Sequence, residues 1–283
     1  MKKKQIVLSL GGLRVLMQSD DKSIIELIRD AFRGFVSASG RPEIRITIHV
    51  DKRMGDIQPY AYGNPHRTSV HADSGVILAR GSVFSGMVNV DELTAEVRHG
   101  VAIEPVYLFL RFVLSAFLPL FDGFLMHAAS IVRDRDCFLF AGQPQSGKST
   151  LVKMSSNYTV LSDDFSIVRR MNDCFCCFAS PFWGHVQTKG GNMKMGCAYV
   201  AIRATYFLKQ DDEAYIRRLD AKQQCLRLMQ NICLIAKDSR INTEILKLAD
   251  ECSKEVGGGI LHFKLDNSFW RCIEDDRYVC KTK

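Results

Sequence analysis

Residues 137–151 read CFLFAGQPQSGKSTL. The apolar run Phe138-Leu139-Phe140-Ala141 has the character of a buried strand, Gly142 to Gly147 of a loop, and Lys148-Ser149-Thr150 of a helix start. Gly142, Gly147, Lys148 and Ser149 fill the G-x-x-x-x-G-K-[ST] pattern of a phosphate-binding loop. In that pattern glycines let backbone N–H groups curl around phosphates, the lysine reaches the outer phosphates, and the hydroxyl can ligate Mg2+. The candidate nucleotide cradle is therefore Gly142, Gln143, Pro144, Gln145, Ser146, Gly147, Lys148, Ser149 and Thr150, with Ser149 also a metal ligand. A chance match in an ordinary strand–turn–helix is disfavoured, because four fixed positions fall in the required context.

What faces the γ-phosphate decides the reaction. Downstream, Ser162-Asp163-Asp164 closes a short apolar strand that includes Val160-Leu161. Carboxylates at the end of a strand beside a phosphate loop are where such folds hold Mg2+ or a base. Successive strand residues point to opposite sides, so the two need not share a role. Upstream, Met126-His127-Ala128-Ala129-Ser130 begins the preceding strand. A lone strand histidine is more often structural, and His127 gains weight only from its company.

The chain has 283 residues, 47% of them hydrophobic and 24% charged, as in an ordinary globular protein. The net charge of +7 suits anionic ligands, and nucleotide qualifies. Lys and Arg are scattered, without a basic stripe interleaved with aromatics, so nucleic-acid binding is not expected. The opening Lys2-Lys3-Lys4 and IVLSLGGLRVLM imitate a signal peptide, but Gly11, Gly12, Arg14 and Asp20-Asp21 interrupt it. The ten cysteines are then expected to be reduced, in a cytoplasmic protein. Cys174, Cys176 and Cys177 lack zinc-site spacing and read as buried thiols. His49, His66 and His71 have no carboxylate or cysteine clustered with them and read as surface residues.

Along the chain, residues 5–17 suggest a strand or hairpin, and 20–36 a helix capped by Ser19 or Asp20. Ile44, Ile46 and Ile48 alternate as a strand, residues 51–75 read as a long loop, and 76–90 as two strands about Gly81. Residues 91–123 read as largely helical; Arg111 and Pro119 interrupt their apolar centre, so a buried helix is expected, not a membrane span. Strands are expected over 124–132, 137–141, 159–161, 165–170, 175–179 and 198–208, and a helix over 148–156. Residues 220–229, 232–235 and 241–252 read as helices, and Gly257-Gly258-Gly259 as a turn into a last strand, 260–265. The expected fold class is α/β. A P-loop nucleotide-binding domain with a mixed sheet spans 96–283, beside a smaller N-terminal α+β accessory domain over 1–95.

In the order MHAAS, GQPQSGKST, LSDDF, the chain resembles the P-loop kinase core of the HPr kinase/phosphorylase superfamily. It is more similar still to small HPr-kinase-related proteins encoded near peptide-modification genes in bacteria. Ser180-Pro181-Phe182-Trp183-Gly184, Ile202–Gln210 and His262–Trp270 follow their layout, and the resemblance covers about residues 100–275. It implies ATP and Mg2+ as cofactors, with Lys148 on the outer phosphates. Asp163 corresponds to the base toward a serine hydroxyl, Asp164 to its neighbour near the metal, and His127 to the histidine beside the phosphates. It also implies a phosphoryl acceptor that is a Ser/Thr hydroxyl of a peptide or protein, or a small hydroxylated molecule. Related kinases assemble, so a homo-oligomer fits, although no interface stripe is legible. His185 stands where the family often has an acid, and Gln143-Pro144-Gln145 is an unusual loop interior. The motif of true HPr kinases after the Asp pair is missing, so HPr itself is not implied as substrate.

Two other classes compete with a kinase. A P-loop ATPase or GTPase switch would need an LSGGQ-like signature or an Asn/Thr-Lys-x-Asp guanine reader; Thr188-Lys189-Gly190 lacks the Asp. A non-catalytic nucleotide-binding partner in a biosynthetic complex has His185 in its favour, and the intact Lys148, Ser149 and Asp163 against it. Residues 180–197, with Trp183, Lys189 and Lys194, suggest a lid or acceptor-binding loop as readily as a surface excursion.

Overall fold

The structure, a computed structural model, describes residues 3–37, 40–54, 69–81, 83–184, 198–234 and 238–280. It is a mixed α/β protein with two mixed sheets. By its contacts the chain divides into two units. The first holds the described residues up to Phe121 with Leu234–Glu244, and the second the other described residues from Asp122 onward.

In the first unit, β1 (Lys4–Leu10) and β2 (Leu13–Ser19) form the expected hairpin, turned by Gly11 and Gly12 at φ +60° and +76°. Helix α1 (Lys22–Ala31) is capped by Asp21, which accepts from the Ser23 N–H, and not by Ser19 or Asp20, and it ends before a 3-10 turn at Arg33–Phe35. Then come β3 (Ile44–Val50), β4 (Ser69–Asp73), β5 (Val76–Arg80), β6 (Phe84–Asn89) and β7 (Thr94–His99), in a sheet ordered β1-β2-β3-β7-β6-β5-β4. Two expectations change here. The segment read as a long loop ends in strand β4, whose polar residues pair with β5. Residues 94–99, read as helix, are a strand: Ala95, Val97 and His99 are buried while Glu96 and Arg98 are exposed. With β7 between β3 and β6, residues 96–121 cluster with this unit and not with the loop-bearing one. Helix α2 (Glu104–Phe117) packs on β6, where Gly86 admits the Phe109 ring: a Cβ there would lie 2.3 Å from Phe109 Cε2. Among the described residues, one helical stretch, Glu104–Phe121, is long and apolar enough to cross a membrane, and 61% of it is buried in the protein.

The second unit is built on β8 (Gly123–Arg133), β9 (Asp136–Ala141), β10 (Thr159–Ser162), β11 (Phe165–Met171), β12 (Cys174–Phe178), β13 (Tyr199–Gln210), β14 (Tyr215–Arg218) and β15 (Gly257–Phe263). The path of the sheet is β10-β8-β11-β12-β13-β15-β14, with β9 pairing both β8 and β13. Strand β9 runs antiparallel to β8 and parallel to β13, which runs parallel to β15. Alternate residues of the strands, among them Ile131, Phe138, Phe140, Tyr206 and Leu261, meet α3 (Lys148–Met154) and α6 (Ser268–Cys280) in one apolar cluster. Helix α6 has no counterpart among the expected elements. Trp270 anchors it, its Nε1 donating to Ser155 Oγ at 3.1 Å under the Arg133 guanidinium.

Helix α4 (Ala221–Met229) begins with a capping box of Asp220 and Gln223, and α5 is Ser239–Glu255. Ile232 is not helical as expected: it bridges to Met126, and the Cys233 N–H donates to Leu125 O. Residue 235 lies outside the described residues. Nor are Gly257-Gly258-Gly259 a turn. They are paired residues of β15, and a Cβ on Gly258 would lie 2.0 Å from Thr205 O. The eight described cysteines from Cys137 to Cys272 are free thiols. Burial pushes Cys137 well up and Cys252 up to about 12, which leaves them inert as nucleophiles.

Candidate nucleotide and phosphoryl-transfer site

Strand β9 delivers the chain into the loop from Gly142 to Gly147, and α3 leaves it. The strand–loop–helix order expected for 137–151 is thus present. Two positive φ angles shape the loop, Gln145 at +67° and Gly147 at +100°. Gly147 also lies against the Phe263 ring, and a Cβ there would be 2.6 Å from Phe263 Cζ. Ser146 N–H donates back to Gln143 O at 3.1 Å, and Gln210 Nε2 braces the loop through Gln145 O at 3.2 Å. Gln143, Pro144 and Gln145 are exposed, Ser149 is half-buried and Thr150 exposed.

Lys148 is buried, 8% exposed, and its ammonium donates to Gly142 O at 2.6 Å and Gln143 O at 3.2 Å. Burial pushes its pKa down, and the Asp164 charge partly restores it. Lys148 and Asp164 therefore share one electrostatic environment, although Lys148 opens α3 and Asp164 follows β10.

Strands β10 and β11 run in one line antiparallel to β8, with Ser162 opposite Ser130 and Phe165 opposite His127. Asp163-Asp164 occupies the break between them. Ser162 secures that break: its hydroxyl lies 2.9 Å from Phe165 O and 3.3 Å from Phe182 O, and accepts from the Asp164 N–H. The two carboxylates sit in a bend and take different partners. Asp163 is 2% exposed and its Oδ1 accepts from Gly184 N–H at 2.7 Å. Asp164 is half-buried and its Oδ1 lies 3.2 Å from His127 Nε2. The His127 ring also stacks on Phe165 with centroids 5.1 Å apart, and its backbone N–H donates to Asn231 O at 2.8 Å.

Lys148, Asp163, Asp164 and His127 are thus joined by contacts, field and sheet register. Gly184 and Asn231 were not anticipated. Gly184 supplies the hydrogen bond that orients Asp163, and a Cβ on it would stand 3.5 Å from both Asp163 Oδ2 and Asp164 Cβ. The only local signal was the Pro181-to-Gly184 segment that carried the resemblance. Asn231 brings the end of α4 to the site. With Arg227, Gln230 and the outer face of the loop it lines a cleft of about 760 Å³. His185 and the rest of 185–197, including the suggested lid, lie outside the described residues.

No side-chain trio of His, Cys, Asp or Glu among the described residues could hold a metal unaided. Mg2+ on a triphosphate asks for less, one or two protein oxygens beside phosphates and water. Ser149 and Asp164 offer a hydroxyl and a carboxylate, hard oxygen donors that fit it.

No curated protein sequence matches the chain. Among solved structures, the Hpr(Ser) kinase/phosphatase from Coxiella burnetii aligns over 56% of this chain and 92% of its own, at 10% identity and TM-score 0.33. The family model described as SynChlorMet cassette protein ScmC matches residues 102–277, more than half of the chain. That span takes in the loop from Gly142 to Gly147, the Asp pair, His127 and most of α6, and the chain belongs to the ScmC family of SynChlorMet cassette proteins.

Proposed function

We propose that the chain is an ATP-dependent kinase that transfers the γ-phosphoryl group to a hydroxyl, of a serine or threonine in a peptide or protein or of a small molecule. One observation carries this reading. Asp164 is tied both to His127, at 3.2 Å, and through its charge to the phosphate-loop Lys148. A phosphate cradle alone would bind nucleotide; with a carboxylate–histidine pair at its mouth it can also manage the transferred group.

The loop from Gly142 to Thr150 holds the triphosphate, and Lys148 exchanges its carbonyl partners for outer phosphate oxygens. Asp163, held by Gly184 N–H, takes the proton of the acceptor hydroxyl as its oxygen attacks the γ-phosphorus. The bond from that phosphorus to the β-γ bridging oxygen breaks, ADP leaves, and the phosphoester forms. Mg2+ held by Ser149 and Asp164 would neutralise charge on the phosphates. His127 orients Asp164 and adds a donor beside the transferring group.

The test is incubation of the full chain with Mg-ATP labelled in the γ position and serine- and threonine-containing peptides. Family members are named as SynChlorMet cassette proteins, so peptides encoded beside them come first. Label should move to a hydroxyl. Asp163→Asn should cut that transfer by about 10²–10⁴-fold while nucleotide binding persists. Wild-type transfer rates in that variant would remove Asp163 from its role. Rapid ATP hydrolysis indifferent to every acceptor would favour an ATPase instead.

A further inference from the structure

Parallel strands β9, β13 and β15 end on the loop's side of the sheet, with Ala141 level with Phe207, and Gln210 with Phe263. Ligands of such sheets gather at the carboxyl ends of the parallel strands. Asp163, Asp164 and His127 lie to the β8 side of β9. To its other side, the ends of β13 and β15 bound a cleft of about 670 Å³, lined by Gln210, Asp211, Asp212, Lys264, Leu265 and Asp266 together with Phe263. Cleft and loop are continuous, because Gln210 Nε2 donates to Gln145 O and Phe263 lies against Gly147.

The cleft's walls are fixed. The Asp211 N–H donates to Phe263 O at 3.0 Å, and the Asp211 carboxylate meets His262 Nδ1 at 2.7 Å. Asp266 accepts from Ser268 N–H at 2.9 Å and pairs with Lys264 at 3.2 Å. Two side chains are presented on this frame, Leu265, 64% exposed, and the exposed carboxylate of Asp212. In a mostly polar lining, Leu265 offers an apolar face and Asp212 an acceptor, the two kinds of contact a nucleoside makes.

We infer that this cleft holds the nucleoside of the phosphoryl donor, with the base against Leu265 and the ribose hydroxyls donating to Asp212. The inference rests on the triphosphate reading above. With the γ end at Lys148 and Asp164, the rest of the donor leaves the loop toward β13, away from β8. Asp212 commits the site to a ribonucleotide, since an ionised carboxylate only accepts and a ribose diol supplies two donors.

Calorimetric titration of the full chain with Mg2+ and ATP, 2′,3′-dideoxy-ATP or inorganic tripolyphosphate separates the parts. ATP should bind at least ~10-fold more tightly than tripolyphosphate, about 1.4 kcal/mol. Leu265→Glu and Asp212→Asn should each remove most of that advantage and leave tripolyphosphate affinity unchanged. Asp212→Asn should also erase the preference over dideoxy-ATP. Wild-type ratios in both variants, or tripolyphosphate bound as tightly as ATP by the wild type, would overturn the nucleoside cleft alone. If wild-type protein binds neither ligand, the triphosphate reading falls and takes this inference with it.

Discussion

His127 Nε2 and Asp164 Oδ1 lie 3.2 Å apart, the histidine from β8 and the carboxylate from the break between β10 and β11. Stacking on Phe165 and the bond to Asn231 O hold the histidine where the pair can form. Residues in direct contact act as a unit, so His127→Ala and Asp164→Asn should not add. In a double-mutant cycle on Mg-ATP affinity, the coupling should be about 0.5–3 kcal/mol. Additive losses would mean that the two contribute separately.

Lys148 offers a second measurement because its binding and stability effects run in opposite directions. Lys148→Met removes charge-assisted bonds to the phosphates and should weaken Mg-ATP binding by about 1.5–3 kcal/mol, roughly 10- to 150-fold. In the folded chain burial lowers the pKa of this lysine, so the charged form is disfavoured there. That penalty is present at neutral pH and is relieved as pH rises through the folded-state pKa. Calorimetric melting at about pH 7 should therefore find Lys148→Met as stable as wild type or more so, with the difference shrinking near pH 10. A marked loss of Tm in the variant at neutral pH would show that the two carbonyl hydrogen bonds outweigh burial.

The strand, loop and helix of residues 137–151 were legible because each has a local signature: an apolar run, fixed glycines and a helix start. Strand β7 was missed although Ala95, Val97 and His99 alternate with Thr94, Glu96 and Arg98, because the strongly apolar α2 follows directly. Helix α6 was missed for another reason. Its apolar anchors Phe269, Trp270 and Ile273 are few, and their partners Ser155 and Phe140 lie far away in sequence. Gly258 looked like a turn because only the register with Thr205 reveals why no side chain fits there. The Gly184–Asp163 bond is a backbone donor meeting a side chain 21 residues distant, and no local pattern encodes it.

His99 gives the first unit a pH dependence of its own. It is fully buried at the end of β7, and burial pushes its pKa below the ordinary 6.5, offset only in part by the Gly100 backbone. The unfolded chain then binds a proton at a pH where the folded chain does not. Stability is retained above the unfolded value and lost as pH falls from it toward the folded one. Tm should drop between about pH 7 and about pH 5, and His99→Leu should flatten that part of the profile. Equal acid sensitivity in the variant would assign the effect to other groups.

Gly147 tests whether loop shape is set by backbone angle or by the ring beside it. Its φ of +100° disfavours any side chain, and a Cβ would lie 2.6 Å from Phe263 Cζ. Gly147→Ala should cost about 1–3 kcal/mol in stability, a Tm loss of several degrees, and weaken Mg-ATP binding. Adding Phe263→Ala relieves the clash and leaves the φ penalty in place. If the ring is the main obstacle, the double variant should recover nucleotide affinity despite the cavity it creates in the core. If the backbone angle dominates, affinity should stay at the level of Gly147→Ala while stability falls by about a further 3–5 kcal/mol through lost aromatic packing.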